Sequence, residues 1–188
     1  MSALPATAGL DRDAIAARVP HAGAMCLLDR VVAWDADSLD CTATGCPPGG
    51  AGSHPLASDG RLPAAAAIEY AAQAMALHGR LVQEAGLTSG PAAGDEGQSA
   101  PRRGFLAGLR SAKLHVRWIG RDAPVLAVHV ERFAGDDVQV LYDFEVRADG
   151  GPIAQGRAVV VLDAAARATL ATAATGAPLA GLPPEPSS

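Results

Sequence analysis

One carboxylate stands out because of the segment that carries it. Glu69 lies within residues 60–75, GRLPAAAAIEYAAQAM, where most other side chains are small or apolar. The segment predicts a helix over 63–84 that is apolar on nearly every side, and such a helix is buried. A buried carboxylate costs free energy unless it is paired or used in chemistry. Glu69 is therefore the first candidate for a functional residue, with a purely structural role as the alternative.

The position of Glu69 near the start of this helix has opposing effects on whether its carboxyl group is ionised. Pro63 suits the first helical position, and Asp59 just upstream suits an N-cap or favours the positive end of the helix dipole. The dipole favours a carboxylate anion, whereas burial favours the protonated acid. Gln73 lies one turn further on, on the same face, where it can orient Glu69.

Composition narrows the class of protein. The chain has 188 residues, 49% hydrophobic and 4% aromatic, which predicts a single folded domain with an aliphatic, alanine-rich core. A net charge of −5 argues against nucleic acid as a partner. Cys26, Cys41 and Cys46 lack the spacing of a metal site or a disulfide framework, so we expect buried free thiols. Neither a membrane span nor a signal peptide is predicted, which favours the cytoplasm.

The remaining pattern predicts mainly strands. In 138–147, Val138, Val140, Tyr142 and Phe144 alternate with polar residues, as in a half-buried strand. The other predicted elements are a helix at 11–18, strands at 25–34, 39–46, 103–118, 124–133 and 153–162, a loop at 47–60 and a linker at 86–101. A helix that is apolar all round needs a curved sheet around it and a partner subunit over the rest, which predicts at least a homodimer.

The order of these segments resembles the hotdog fold, and within it the beta-hydroxyacyl carrier-protein dehydratases. Residues 19–31, VPHAGAMCLLDRV, are similar to the opening strand of that family. Residues 62–74 are similar to its central helix, and residues 104–114 to the strand that follows. Residues 59–64, DGRLPA, resemble the divergent subgroup found in aryl polyene clusters. The resemblance implies an α+β hotdog domain over 19–163, with an N-terminal segment 1–18 and a loose tail 164–188.

The resemblance also implies a site. Such enzymes dehydrate 3-hydroxyacyl thioesters with a histidine base and a carboxylic acid that face each other across the dimer interface. Here these are His54 and Glu69, although Ser53-His54-Pro55 replaces the family's glycine–histidine–phenylalanine–proline motif and the interval, 69 − 54 = 15, is one residue longer than usual. No metal or cofactor is implied. The expected substrate-binding residues are Ala64 and Ala65 at the helix start, Tyr70, Gln73 and Gly108.

Two other functions remain open. A hotdog thioesterase also needs a carboxylate and a held water, and Glu69 suits that role. A non-catalytic subunit that stabilises an active dehydratase partner is the other, because the histidine motif is weakened. The expected partners are an acyl group on acyl carrier protein or CoA and a second copy or another hotdog subunit, with neither nucleic acid nor a membrane.

Overall fold

The computed structural model describes residues 9–46, 54–87, 104–120, 123, 125–136, 138–149 and 151–162. Most of the predicted linker and the whole of the predicted tail at 164–188 lie outside these residues. The helices are α1 (Arg12–Ala16) and α2 (Ala66–Glu84), with a short 3-10 helix at Gly23–Met25. The strands are β1 (Leu28–Trp34), β2 (Ser38–Thr44), β3 (Leu62–Pro63), β4 (Phe105–Leu114), β5 (Trp118–Ile119), β6 (Val125–Gly135), β7 (Gln139–Ala148) and β8 (Gly151–Val161).

A six-stranded antiparallel sheet packs against α2. Its strand order is β1-β2-β6-β7-β8-β4, and α2 contacts β1, β2, β6, β7 and β8. Tyr70, Ala74 and Leu77 are completely buried, and no residue from 66 to 83 is fully exposed. The prediction of a long apolar helix against one antiparallel sheet is confirmed.

Strand β7 has the alternation that its sequence predicts. Val140, Tyr142, Phe144 and Val146 are all buried, while the residues between them are only half-buried. Val138 departs from the pattern, because it precedes the strand and is 51% exposed. The alternating face supplies much of the core against which the helix packs.

The helix begins three residues later than predicted. Pro63 lies in the short strand β3, where it pairs with Trp118 while Leu62 pairs with Ile119. Leu62 is completely buried, so this two-stranded ladder anchors the entry to α2. A proline is tolerated there because a peripheral strand can lack one N–H. The apolar pattern alone does not distinguish this arrangement from a first helical turn.

Asp59 does not cap the helix. Asp59 and Gly60 both have positive φ, 51° and 68°, at the tip of a tight turn. The backbones of Ser58 and Arg61 exchange two hydrogen bonds across that turn. Aspartate followed by glycine is a preferred pair for this geometry. The residue at the N-cap position is Ala65, which has no side chain to cap with.

The two edge strands of the sheet, β1 and β4, have different neighbours. At β1, the N-terminal segment adds backbone hydrogen bonds from Gly9 N–H to Val31 and from Val31 N–H to Leu10. Helix α1 follows, with Ile15 completely buried in the main core, so it packs as part of the same body as the sheet. At the other end, β4 pairs with β8 on one side and has no strand on its outer side among the described residues.

The three cysteines and His78 are buried. Cys26, Cys41 and Cys46 are buried free thiols, as predicted, and burial raises the pKa of Cys41 to about 12. Among the described helices, none is long and apolar enough to span a membrane.

His78 is completely buried; its Nδ1 lies 2.8 Å from the Tyr142 hydroxyl and its Nε2 3.1 Å from the Asp35 carbonyl oxygen. Both ring nitrogens of His78 therefore have partners in the core.

We expect the free energy of unfolding to fall as the pH drops below about 6.5. Burial lowers the pKa of His78, so the folded chain keeps the ring neutral while the unfolded chain protonates it near 6.5. Stability is then complete above that pH and is lost as the pH falls toward the lower pKa of the folded state. Burial lowers the pKa of His54 in the same direction.

Denaturant unfolding between pH 8 and 5 measures this dependence. His78→Gln should flatten the slope by up to about 1.4 kcal/mol per pH unit. His115→Gln is the control, since His115 lies at the surface, and it should keep the wild-type slope. A wild-type slope in His78→Gln would contradict the assignment.

Candidate active site

A buried amide organises the start of the helix. Gln73 is completely buried, and its Oε1 accepts the Leu27 N–H at 2.9 Å. Its Nε2 donates to the Met25 carbonyl oxygen at 2.8 Å and to Oε1 of Glu69 at 3.0 Å. The amide thus connects the segment before β1 to α2 and holds Glu69 from one turn away. The orienting role predicted for Gln73 matches this geometry.

Glu69 is less buried than its sequence context predicts. In the chain alone its side chain is 33% exposed, so α2 has an open side at this point. The structural reason is that the sheet covers one side of the helix, while Ile68, Glu69 and Ala72 lie on the other and are only half-buried. The carboxylate is therefore both held by Gln73 and accessible from outside the chain.

His21 is the histidine whose side chain lies next to Glu69. Its Nε2 lies 3.2 Å from Oε1 of Glu69, and its side chain is 31% exposed. Its Nδ1 is buried without a hydrogen-bond partner among the described residues. The sequence places His21 directly after Pro20, ahead of the opening strand, where we expect it only to fix a turn. The proline–histidine pair is visible in the sequence, but no sequence pattern relates His21 to Glu69, which lies 48 positions further along the chain (69 − 21).

His54 lies in a different environment. Its Nδ1 accepts the Leu56 N–H at 3.1 Å, so its proton is on Nε2, which is 2.7 Å from the Tyr70 hydroxyl. Tyr70 in turn donates to the Thr44 carbonyl oxygen at 2.8 Å. Burial raises the pKa of Tyr70 and lowers that of His54, which keeps both groups neutral. Both ring nitrogens of His54 are thus occupied, and the structure gives it no hydrogen bond to Glu69 of the same chain.

A cavity of about 240 Å³ opens beside His54. Its lining residues come from α1, the opening segment before β1 (residues 19–27), β2 and the loop before the helix: Arg12, Ala24, Cys26, Leu27, Thr44, His54 and Pro55. Arg12 forms an ion pair with Asp29 at 2.6 Å, and Asp29 also accepts from the Thr44 hydroxyl. Leu27 connects this cavity to the Gln73 amide, whereas Glu69 is not part of the lining.

The helix start offers fewer free donors than its sequence suggests. The Ala64 N–H donates to the Arg117 carbonyl oxygen, and the Ala67 N–H donates back to Ala64. The N–H groups of Ala65 and Ala66 remain as candidates to hold an acyl oxygen. Ala64 is completely buried and Ala65 is exposed, so of the two predicted residues Ala65 is the accessible one.

Gly108 lies apart from this group. It pairs with Val159 next to an irregularity in the β4–β8 ladder. A side chain at Gly108 would meet open space within the chain. Within the described residues, no group of three or more histidine, cysteine, aspartate or glutamate side chains is arranged to hold a metal ion.

Solved structures similar to this chain have the hotdog fold. The ApeI:P dehydratase heterocomplex from Xenorhabdus doucetiae matches with a TM-score of 0.65 and 23% identity, covering 86% of this chain and 97% of that one. A hypothetical thioesterase from Streptococcus pneumoniae, solved with coenzyme A, matches with a TM-score of 0.47 and 11% identity over 71% of this chain and 84% of its own. The predicted hotdog fold is confirmed. A comparison with curated proteins gives no match.

The family comparison covers most of the sequence. The family model described as ApeP-like, ApeP dehydratase, matches residues 13–171, which include the opening segment, the central helix and all the strands. This confirms the resemblance to the divergent dehydratases of aryl polyene type. The chain is therefore a member of the ApeP-like dehydratase family.

Proposed function

We propose that this chain dehydrates 3-hydroxyacyl thioesters carried by acyl carrier protein, and that Glu69 exchanges protons with the substrate. The observation that carries the proposal is the position and partial exposure of the Glu69 side chain. It is a carboxylate near the start of the central helix, fixed by a buried amide and yet one-third exposed. Membership of a dehydratase family supplies the reaction class.

Dehydration needs one proton to be removed from C2 and one to be given to the hydroxyl on C3. The C2–H bond breaks, its electron pair becomes the C2–C3 double bond, and the hydroxyl leaves C3 as water after it gains a proton. Proton transfer by a positioned side chain is the main contribution a protein can make here. Donors on the thioester oxygen assist as negative charge develops, and the N–H groups of Ala65 and Ala66 are the candidates for that role.

The role predicted for His54 remains a prediction. Its ring can serve as the base only if it gives up the bond to Leu56 or to Tyr70, because both nitrogens are occupied. Since it lies beside a cavity next to the opening segment, a substrate that enters there would meet it first. A site composed across two subunits, with His54 of one facing Glu69 of the other, is the arrangement that the family resemblance implies.

We further propose that the chain assembles with a second hotdog subunit through β4. Nearly all of β4 is exposed, including Leu106 at 40%, Leu109 at 38% and Leu114 at 46%, and its outer backbone edge has no strand beside it in the part of the chain described. An uncovered apolar edge strand is a template for pairing with another chain. The similar dehydratase is itself a heterocomplex, which favours a related subunit as the partner.

Glu69→Gln tests the catalytic role. The variant keeps the shape and the bond from Gln73 but cannot exchange a proton, so turnover should fall about 10²–10⁴-fold. The measurement is enoyl absorbance from a 3-hydroxyacyl thioester on acyl carrier protein, with thiol release recorded in parallel to detect hydrolysis. Glu145→Gln makes the same chemical change on the outer face of the sheet, where Glu145 pairs with Arg147, and should be fully active. Full activity in Glu69→Gln would remove Glu69 from the mechanism.

Leu109→Lys tests the assembly. A charge on the exposed edge strand should weaken a subunit contact there and shift the species seen by light scattering toward the monomer. Val125→Lys is the matched control, since Val125 is 53% exposed on β6, away from this edge. An unchanged mass in Leu109→Lys, or a shift of the same size in the control, would argue against β4 as the interface.

A further inference from the structure

Two arginines contact one tryptophan ring at the entry to the central helix. The guanidinium carbon of Arg61 lies 4.1 Å from the centre of the Trp118 ring, and that of Arg117 lies 5.7 Å from it. The two guanidinium carbons are therefore at most 9.8 Å apart (4.1 + 5.7). Because a hydrogen bond from a guanidinium group to an anionic oxygen is about 2.7–2.9 Å long, both groups can reach the oxygens of a single phosphate.

The backbone fixes the positions from which both side chains of this arginine pair extend. Arg61 closes a tight turn through two backbone hydrogen bonds and leads into β3, where Pro63 pairs with Trp118. Arg117 immediately precedes Trp118, and its carbonyl oxygen accepts the Ala64 N–H at 3.1 Å. The arginine pair is thus built on hydrogen-bonded backbone at both residues.

Neither charge of the arginine pair is neutralised within the described residues. Arg61 and Arg117 are both exposed, and their side chains form no hydrogen bond or ion pair there. Asp59, the acid closest to Arg61 in the sequence, forms no ion pair with them either. Other arginines of the described chain do pair with carboxylates: Arg12, Arg18, Arg80, Arg147 and Arg157. In a chain with a net charge of −5, two neighbouring cations without an acid indicate a site for an external anion.

The arginine pair lies close to the start of α2. Arg61 precedes Ala65 by four residues (65 − 61), and the Ala65 N–H is one of the two candidates to hold the acyl oxygen. Four extended residues span at most about 14 Å, so Arg61 starts within that distance of the helix. A thioester on acyl carrier protein or CoA has a phosphate at the opposite end of its pantetheine arm. One arm can therefore place its thioester at the helix and its phosphate at the arginine pair.

We propose that Arg61 and Arg117, held against Trp118, bind the phosphate of the pantetheine arm. This rests on the proposed dehydratase function and names the part of the substrate that the chain recognises away from the reacting carbons. Guanidinium groups suit this role because their planar N–H donors match phosphate oxygens two at a time. Contact with the Trp118 ring restricts both side chains beforehand, so less conformational freedom is lost when the phosphate binds.

The test uses three substrates that share one 3-hydroxyacyl group, attached to pantetheine, to phosphopantetheine or to acyl carrier protein. The full chain is used, purified with its partner subunit if one is needed for activity. The double variant Arg61→Gln, Arg117→Gln should raise KM for the phosphopantetheine and carrier-protein substrates at least about tenfold and leave kcat near the wild-type value. The pantetheine substrate has no phosphate, so its KM should not change.

The matched control removes two charges from another part of the surface. Arg147→Gln, Arg157→Gln lies on the outer face of the sheet, where both arginines pair with carboxylates, and it should leave all three KM values unchanged. Equal KM values for the wild type and the Arg61, Arg117 variant with the phosphopantetheine substrate would overturn the proposal. A rise confined to the carrier-protein substrate would also overturn it, because the arginines would then contact the carrier's surface. A rise of equal size for all three substrates would indicate damage to the site and would count against it as well.

A binding measurement keeps the proposal testable if the wild type does not dehydrate these substrates. The chain has two tryptophans, and the indole N–H signal of Trp118 in a ¹H–¹⁵N spectrum reports on ligands at the arginine pair. Phosphopantetheine should shift this signal, whereas pantetheine should not. Trp34, whose indole nitrogen is buried, is the internal control and should keep its position. An unmoved Trp118 signal at millimolar phosphopantetheine would overturn the inference, whereas absent dehydration by the wild type would count against the proposed function.

Discussion

The amide of Gln73 is the interaction on which the site depends. It is completely buried, and both N–H bonds and its oxygen are used by the opening segment and by Glu69. A hydrophobic side chain of the same size would leave the Leu27 N–H and the Met25 carbonyl oxygen unpaired in the core, at a cost of about 1–3 kcal/mol each. The amide therefore fixes the distance between the opening segment and the helix, and with it the approach of His21 to Glu69.

Two histidines next to this helix differ in what they can do. His54 is bonded through both nitrogens to Leu56 and Tyr70, and the Tyr70 hydroxyl continues to the Thr44 carbonyl oxygen. This chain of hydrogen bonds closes the loop before the helix onto β2 and suits a structural role. His21 has one nitrogen 3.2 Å from Oε1 of Glu69 and one that is buried without a partner among the described residues, so its ring is bound less firmly than that of His54.

Much of the fold could be predicted because its signals are local. The alternation in β7 and the small apolar residues of α2 each specify an element, and a helix that is apolar on most sides requires a sheet around it. The start of the helix could not be predicted as well. Pro63 fits a first turn and a short strand equally, and the pairing with Trp118 that decides between them joins residues 55 positions apart (118 − 63).

The site was predicted only in part for the same reason. Glu69 and Gln73 are one turn apart, so their contact follows from helical geometry, and the sequence identifies it. The contact with His21 depends on how the opening segment packs against α2, which no local pattern encodes. The exposure of Glu69 is also a property of tertiary packing, because the apolar composition of the helix does not reveal which side the sheet leaves open.

The most direct test of this account is a structure with a substrate mimic bound. A 3-hydroxyacyl pantetheine analogue with an amide in place of the thioester resists turnover and keeps the groups at C1, C2 and C3 in place. We predict that the carboxyl group of Glu69 lies beside C2 and within about 2.6–3.2 Å of the 3-hydroxyl, while Gln73 remains hydrogen-bonded to Oε1. An acyl chain bound in the cavity beside His54, with Glu69 out of reach of C2 and C3, would contradict the account.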